Sequence, residues 1–396
     1  MVHHMLASVN RTLAALGCAL ITLLALSAPA DAQRTRSRRN DVVDVCGGEP
    51  GIKLVTMGVG SLIWERHGHI ALCSCFPDPR QNACYNYGIG DFQKPLGMAW
   101  GFFRGTNSFW VGKMDPFQMI YVYQYADRTV WVQHIPLTGE QQQKVIEKLE
   151  FDILEENKHY SYDHFWDNCT TRVRDILDDA TGGALRAMTN KTDGRTYRDL
   201  AREGFFGMRI PLLITDIAMG RVTDRVPTYW ERMFLPDYLR EAALELWKAQ
   251  PVVVYERKGP PPLKDGPSGR IWFCLVVLLL TAPAWASRLA NRFQRAGLWL
   301  AVLPPAFFGL IFWFLAIISP LPYVRWNETV LCLMPLDILL VLLSGERAKK
   351  YARGRVIMLA LVAALLLIDV LKAPIWPVWL WALIPNAVVG FWPKKT

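Results

Sequence analysis

The sequence has neither an H-E-x-x-H motif nor a paired C-x-x-C spacing. His67 and His69 stand close together, but no ligand set of the kind that holds zinc accompanies them, and no metal or other cofactor is expected. Internal repeats and low-complexity tracts are missing as well. Cysteine is sparse, with 8 in 396 residues, and histidine is limited to 7. Apolar residues are abundant: 52% of the chain is hydrophobic, it has 16 Trp, and the mean hydropathy is +0.15, more than one ordinary soluble domain shows. Membrane segments are the expected cause.

The net charge of +9 raises the question of nucleic acid, and its distribution answers it. Apolar stretches run over 271–286, 297–318, 329–343, 356–371 and 375–391, each near the roughly 20 residues that cross a bilayer, the third and fourth being short. Five spans are expected, with four as the other possible count. If the chain before them lies outside the cytoplasm, the inner loops carry Arg288, Arg292 and Arg295, then Arg347, Lys349, Lys350, Arg353 and Arg355, then Lys394 and Lys395. The outer loops carry only Arg325 and Lys372. This is the positive-inside pattern, so much of the basic excess is topological and no nucleic-acid partner is expected.

The N-terminus agrees with that orientation. Arg11 precedes an apolar run from Leu13 to Leu26, and the small residues of SAPADA follow, so residues 1–32 read as a signal peptide. A soluble exported domain is expected over 33–269, closed by the Pro/Gly linker PPPLKDGPSG, and a transmembrane domain over 270–396. Within the exported part, KLVTMGVG, HIALCSC and ACYNYGIG read as short strands, with turn residues PDPRQN between the last two. Thr138 and Gln141 form a capping box for a long helix, and a second helix opens near Cys169 and stops at Gly182 and Gly183. Strands and helices in one domain make the expected class α+β.

Cysteine arithmetic singles out one thiol. Cys18 leaves with the signal peptide, and Cys274 and Cys332 lie in apolar spans. Cys46, Cys73, Cys75, Cys84 and Cys169 remain outside, an odd number in an oxidising compartment. The first four could form two bridges, in a pairing that spacing does not reveal, and Cys169 is the natural remainder. It stands in YDHFWDNCTTRVRDIL, where an aromatic loop gives way to a helical pattern. At a helix N-terminus the unpaired N–H groups and the macrodipole lower a thiol's pKa from about 8.5, and the same N–H groups could form an oxyanion hole. The base such a nucleophile needs is best supplied by His69 of ERHGHIALCSC. Alternation after Gly68 puts His67, His69, Cys73 and Cys75 on one strand face and Ile70 and Leu72 on the other. From the residues alone, a buried structural cysteine and a surface histidine remain the more ordinary alternative.

HGHIALCS, CYNYGIGDF and YDHFWDNCTTRVRD, in that order and followed by apolar spans, resemble the lipoprotein N-acyltransferase family Lnb. NETVLCLMPLDILL resembles a motif in the family's membrane part. The His-before-Cys order, with an Asn-Cys pair opening a helix, is also similar to the permuted papain-like acyltransferases of the lecithin:retinol acyltransferase group. His67, where the family usually has an aromatic residue, and the three hairpin cysteines depart from the pattern. The resemblance implies a papain-like exported domain with Cys169 and His69 catalytic, attached to an all-α transmembrane bundle in the bacterial inner membrane and facing the periplasm. It also implies the reaction. The Cys169 thiolate takes an acyl chain from a membrane phospholipid as a thioester, and the α-amine of a lipoprotein's N-terminal cysteine receives it.

Around that pair, Glu65, Asn86 and Asp91 are candidates to orient the histidine, and Asn168 sits at the helix entrance. Arg172 and Arg174 could meet a lipid phosphate, although Arg174 could equally pair with Asp175 or Asp178. His134 and His164 read as structural. The aromatic, glycine-rich stretch over 101–123 could wall an acyl pocket or rest at the membrane interface, core packing being its plainer role. Asp337, an acid inside an apolar stretch, is either functional or paired with a neighbouring helix. Two other readings remain: a membrane-tethered thiol peptidase or amidase acting on cell-wall peptides, and a non-enzymatic membrane assembly or receptor protein. A free thiol at Cys169 would count against the second.

Overall fold

The computed structural model describes residues 44–91, 95–263, 265–266 and 269–392. The expected signal peptide, 1–32, lies outside the described residues.

The strands expected from alternation form as β1 Gly51–Met57, β2 His69–Cys75 and β3 Ala83–Ile89. There follow α1 Pro95–Arg104, β4 Ser108–Met114, α2 Pro116–Tyr125, β5 Val130–Ile135, α3 Gly139–Asp152, β6 His159–Ser161 and α4 Cys169–Ala180. Then come α5 Tyr197–Glu203, α6 Arg209–Ala218, α7 Pro236–Trp247 and β7 Val252–Tyr255. The seven strands make one antiparallel sheet in the order β6-β4-β3-β2-β1-β5-β7, so the part before residue 260 is α+β, as expected.

The sheet is covered on both sides, which is why β1 is buried at every position rather than at alternate ones. On one face Ile52, Leu54, Ile70, Leu72, Tyr85 and Tyr87 share a core with Val173, Ile176 and Leu177 of α4 and with Val145 and Leu149 of α3. On the other, Val55, Met57, Ala71, Cys73, Cys84 and Val132 pack with Met119 and Ile120 of α2. The α3 capping box forms as read, with Thr138 and Gln141 satisfying each other's backbone N–H groups. Two disulfides fasten the hairpin and its approach, Cys73–Cys84 across directly paired residues of β2 and β3, and Cys46–Cys75. Cys169 is left free, together with Cys274 and Cys332.

After residue 269 the chain is helical: α8 Arg270–Leu289, α9 Gln294–Ile318, α10 Gly345–Leu367 and α11 Trp376–Phe391. Among the described residues, α8 and α9 are the helices long and apolar enough to cross a membrane. Of the five spans expected from hydropathy, three differ. Residues 329–343, expected as one span, form three short pieces, Thr329–Cys332, Pro335–Ile338 and Leu339–Leu342. Pro335 cannot continue the helix before it, and Asp337 is turned to Arg355 (2.8 and 3.0 Å) and the Tyr351 hydroxyl (2.9 Å), so it takes the paired role. The fourth expected segment forms inside α10, a longer helix that starts at Gly345 and takes in the preceding basic residues. The fifth is a helix of 16 residues.

The two parts meet in one packed junction. Asn327 Nδ2 and Thr329 Oγ1 both donate to the Ile217 carbonyl, at 2.9 and 2.8 Å, and Arg270 forms a bidentate pair with Asp216 of α6. Tyr323 inserts its ring among Phe165 and Trp166, 5.0 and 5.6 Å away, in the loop that leads into α4.

Candidate active site at the α4 N-terminus

α4 begins at Cys169 because Asn168 caps it. Asn168 Oδ1 accepts from the N–H groups of Thr170 (2.8 Å) and Thr171 (2.9 Å), while Thr171 Oγ1 accepts from the Asn168 N–H at 2.8 Å. Its amide group donates to the carbonyls of His164 (2.7 Å) and Phe234 (3.0 Å), so one side chain fixes the helix start, the approach loop and the region before α7. Asn168 is therefore a cap and anchor.

The helix N-terminus points at a split in the sheet. β2 and β3 pair over Leu72–Tyr85, Cys73–Cys84 and Ser74–Ala83, and beyond Leu72 their register is not continued. That leaves the Ile70 N–H facing the gap, close enough to the Cys169 sulfur to favour its thiolate form. Gly88 of β3 lines the other side, with φ of +84°, which suits glycine; a Cβ there would lie 3.4 Å from the Cβ of Cys169. His69, one residue from Ile70, opens β2. Gly68 turns the chain into that strand at φ +77°, and any Cβ at 68 would meet the Met57 carbonyl at 2.9 Å. From the α2 side of the sheet, His69 Nε2 bonds Asn86 Oδ1 at 3.3 Å, and its ring stacks on Tyr123, 6.0 Å between centroids.

Of the candidates to orient the histidine, Asn86 touches it. Glu65 is instead an ion partner of Arg128, 3.7 Å away, and Asp91 is exposed. Arg172 is committed to a bidentate pair with Asp167 (2.5 and 2.8 Å) over the Tyr160 ring, and Arg174 pairs with Asp175 against Trp230, so neither guanidinium is held open for a phosphate. His67 does not continue the β2 face. It lies before the strand, with Nε2 donating to the Ala201 carbonyl at 2.7 Å and its ring edge-on to His164 and Phe205. His134 takes a bond from Lys53 Nζ, 2.8 Å. The 101–123 stretch is split among α1, β4 and α2, which contribute Tyr123 to the site and Val111, Met119 and Ile120 to the cores. An open cleft of about 300 Å³ lined by Lys148, Asp152, Trp166, Asp167 and Arg172 does not include Cys169 or His69.

The electrostatics correct one expectation. The thiol is not activated in the resting site: burial pushes the Cys169 pKa up, against the pull of the Thr170 hydroxyl, the Ile70 and Thr170 N–H groups and the Arg128 charge. His69 is held neutral, its pKa pushed down to about 3 by desolvation and then by Arg128, against the Asn86 bond. Thiol and imidazole are thus both uncharged at rest. Arg128, in the motif-free stretch ADRTVW, was missed from sequence. It is buried, donates from Nε to the Gly58 carbonyl (2.8 Å) and lies over the Tyr123 ring, 4.9 Å to its centroid.

An α+β domain with two disulfides, a single unbridged cysteine at a capped helix N-terminus and a neutral histidine at the start of the neighbouring strand defines the class. Residues 51–203, which contain this arrangement, match the family model described as the Lnb N-terminal periplasmic domain, so this part of the chain is similar to that domain. No curated protein and no solved structure matches the chain. β7 and α7 lie beyond the matched residues but complete the same sheet and core.

Proposed function

We propose that the protein is a lipoprotein N-acyltransferase of the bacterial inner membrane. Its papain-like periplasmic domain, 33–269, would act at the bilayer surface, and 270–396 would form a multi-pass membrane part. The Cys169 thiol passes its proton to His69 as it attacks an ester carbonyl of a phospholipid. The tetrahedral intermediate collapses with cleavage of the acyl C–O bond, His69 returns the proton to the departing lysophospholipid oxygen, and the acyl chain stays on Cys169 as a thioester. The α-amine of a lipoprotein's N-terminal cysteine then attacks, His69 takes the amine proton, and the C–S bond breaks to regenerate the thiol.

The observation that carries this reading is the free Cys169 at the capped N-terminus of α4, packed against the core that includes Ile70 of β2, the strand His69 opens, and inside the region matched to the Lnb domain. The uncharged resting pair suits a site that ionises only when substrate displaces water. Junction contacts from Tyr323 to the approach loop favour an acyl donor arriving from the membrane side. The test is transfer itself: full-length protein in phospholipid vesicles is given a synthetic lipopeptide with a free N-terminal amine. N-acylated peptide is expected with wild type and none with Cys169→Ser or His69→Ala. Release of free fatty acid with no acylated peptide would make the protein a hydrolase instead.

A further inference from the structure

The cap leaves the proposed chemistry short of one component. A tetrahedral intermediate on Cys169 carries an oxyanion that needs donors, and Asn168 has already taken the N–H groups of Thr170 and Thr171. The N–H of Cys169 itself is not used by the cap. One more donor stands beside it. Among the described residues the Tyr160 hydroxyl is buried with no hydrogen-bond partner, an arrangement that costs stability and that folding does not require, because phenylalanine would fill the same volume. Its position in β6 is fixed by the Arg172 guanidinium, 4.3 Å over its ring, itself fastened by Asp167. Gly88 makes the space. The point where a Cβ of residue 88 would sit is 3.7 Å from Tyr160 Oη, 4.0 Å from the Cys169 nitrogen and 3.4 Å from the Cys169 Cβ. A glycine in a left-handed conformation therefore leaves empty a place that the unused hydroxyl, the helix's first N–H and the nucleophile all border.

We propose that Tyr160 is a further catalytic residue: its hydroxyl, with the Cys169 N–H, forms the oxyanion hole, and the acyl carbonyl oxygen enters the space that glycine leaves at position 88. This rests on Cys169 acting as an acyl-accepting nucleophile. When the sulfur attacks, the carbonyl π-electron pair moves onto oxygen and is held by the Tyr160 O–H and the Cys169 N–H. It returns as the leaving oxygen departs, and Tyr160 keeps its proton throughout.

Tyr160→Phe removes one oxygen and leaves the packing, so it separates catalysis from structure. The probes are phospholipid vesicles and a p-nitrophenyl ester as an activated acyl donor, with iodoacetamide alkylation of Cys169 followed by peptide mass. In wild type both donors should acylate Cys169. In Tyr160→Phe acylation should fall roughly 100- to 1000-fold, while alkylation, which forms no oxyanion, stays within about twofold and thermal stability is unchanged or higher. Acylation of Tyr160→Phe at the wild-type rate would overturn the inference and leave the function standing. Acylation of wild type by the p-nitrophenyl ester alone would sink the phospholipid reading, and the Tyr160 comparison would still be decided on that ester. Equal loss of acylation and alkylation in the variant would mean a structural role and overturn it too.

Discussion

At Cys169 and His69 the balance of forces is set by burial rather than by the helix dipole. Arg128 is the nearby charge that works against that burial on the thiol, since it favours the thiolate. Arg128→Gln is therefore expected to push the thiol further up and to slow iodoacetamide labelling of Cys169 roughly three- to tenfold near neutral pH, read from the pH dependence of labelling at that peptide. An unchanged profile in a folded variant would remove Arg128 from the site. Asn86→Ala leaves His69 without its side-chain partner, and a loss of roughly tenfold or more in acyl-transfer rate with little change in Cys169 alkylation is expected. The histidines also set the acid limit of the fold. His69 and His164 are depressed to about 3, and His67 is lowered as well, in each case chiefly by desolvation. Above about 6.5 all three are neutral in both folded and unfolded chains. As pH falls from there toward about 3, the unfolded chain takes up protons that the folded one resists, so stability should drop progressively over that window. A melting temperature that is flat or rises on acidification would contradict this.

At the scale of elements, α4 depends on one side chain. Asn168→Ala should destabilise by about 1 to 2 kcal/mol from the lost cap, and by more in total because the His164 and Phe234 carbonyls lose their donor. A urea melt of the variant against wild type measures both effects together. Much at this level was legible in the sequence. The alternation in HIALCSC, the Thr138 capping box and the double glycine after α4 each carry a local signal with one physical meaning, and each forms where expected. The odd cysteine count also singled out the thiol that stays free. What was not legible depends on contacts distant in sequence. Nothing near Asp127 or Thr129 announces that Arg128 will be buried across from Glu65 and Tyr123, and nothing in HYSY says that Tyr160 will keep an unspent hydroxyl. His67 reads like His69 in the sequence, and only the contact with Ala201 and Phe205 separates them.

For the whole molecule, the chain after residue 269 was harder to read because hydropathy reports composition and not continuity. Residues 329–343 are apolar enough to suggest a span, yet Pro335 and the Asp337–Arg355 pair break them into short turns. The neighbouring NET motif, by contrast, has a visible structural role, because Asn327 and Thr329 tie the helical part to α6 through the Ile217 carbonyl. The junction also reaches the site through Tyr323 and the loop before α4. Tyr323→Ala should cost about 3 kcal/mol, as loss of a buried aromatic ring generally does, and should slow acylation from vesicles more than alkylation by a small soluble reagent.

The most direct test of the central claim, that Cys169 is an acyl-accepting nucleophile, is intact-mass analysis of the purified full-length protein after incubation with phospholipid of defined chains. A mass gain of one acyl chain is expected in wild type, removed by hydroxylamine and absent from Cys169→Ser. A protein that gains no acyl chain while Cys169 alkylates readily, or an adduct that persists in Cys169→Ser, would contradict it.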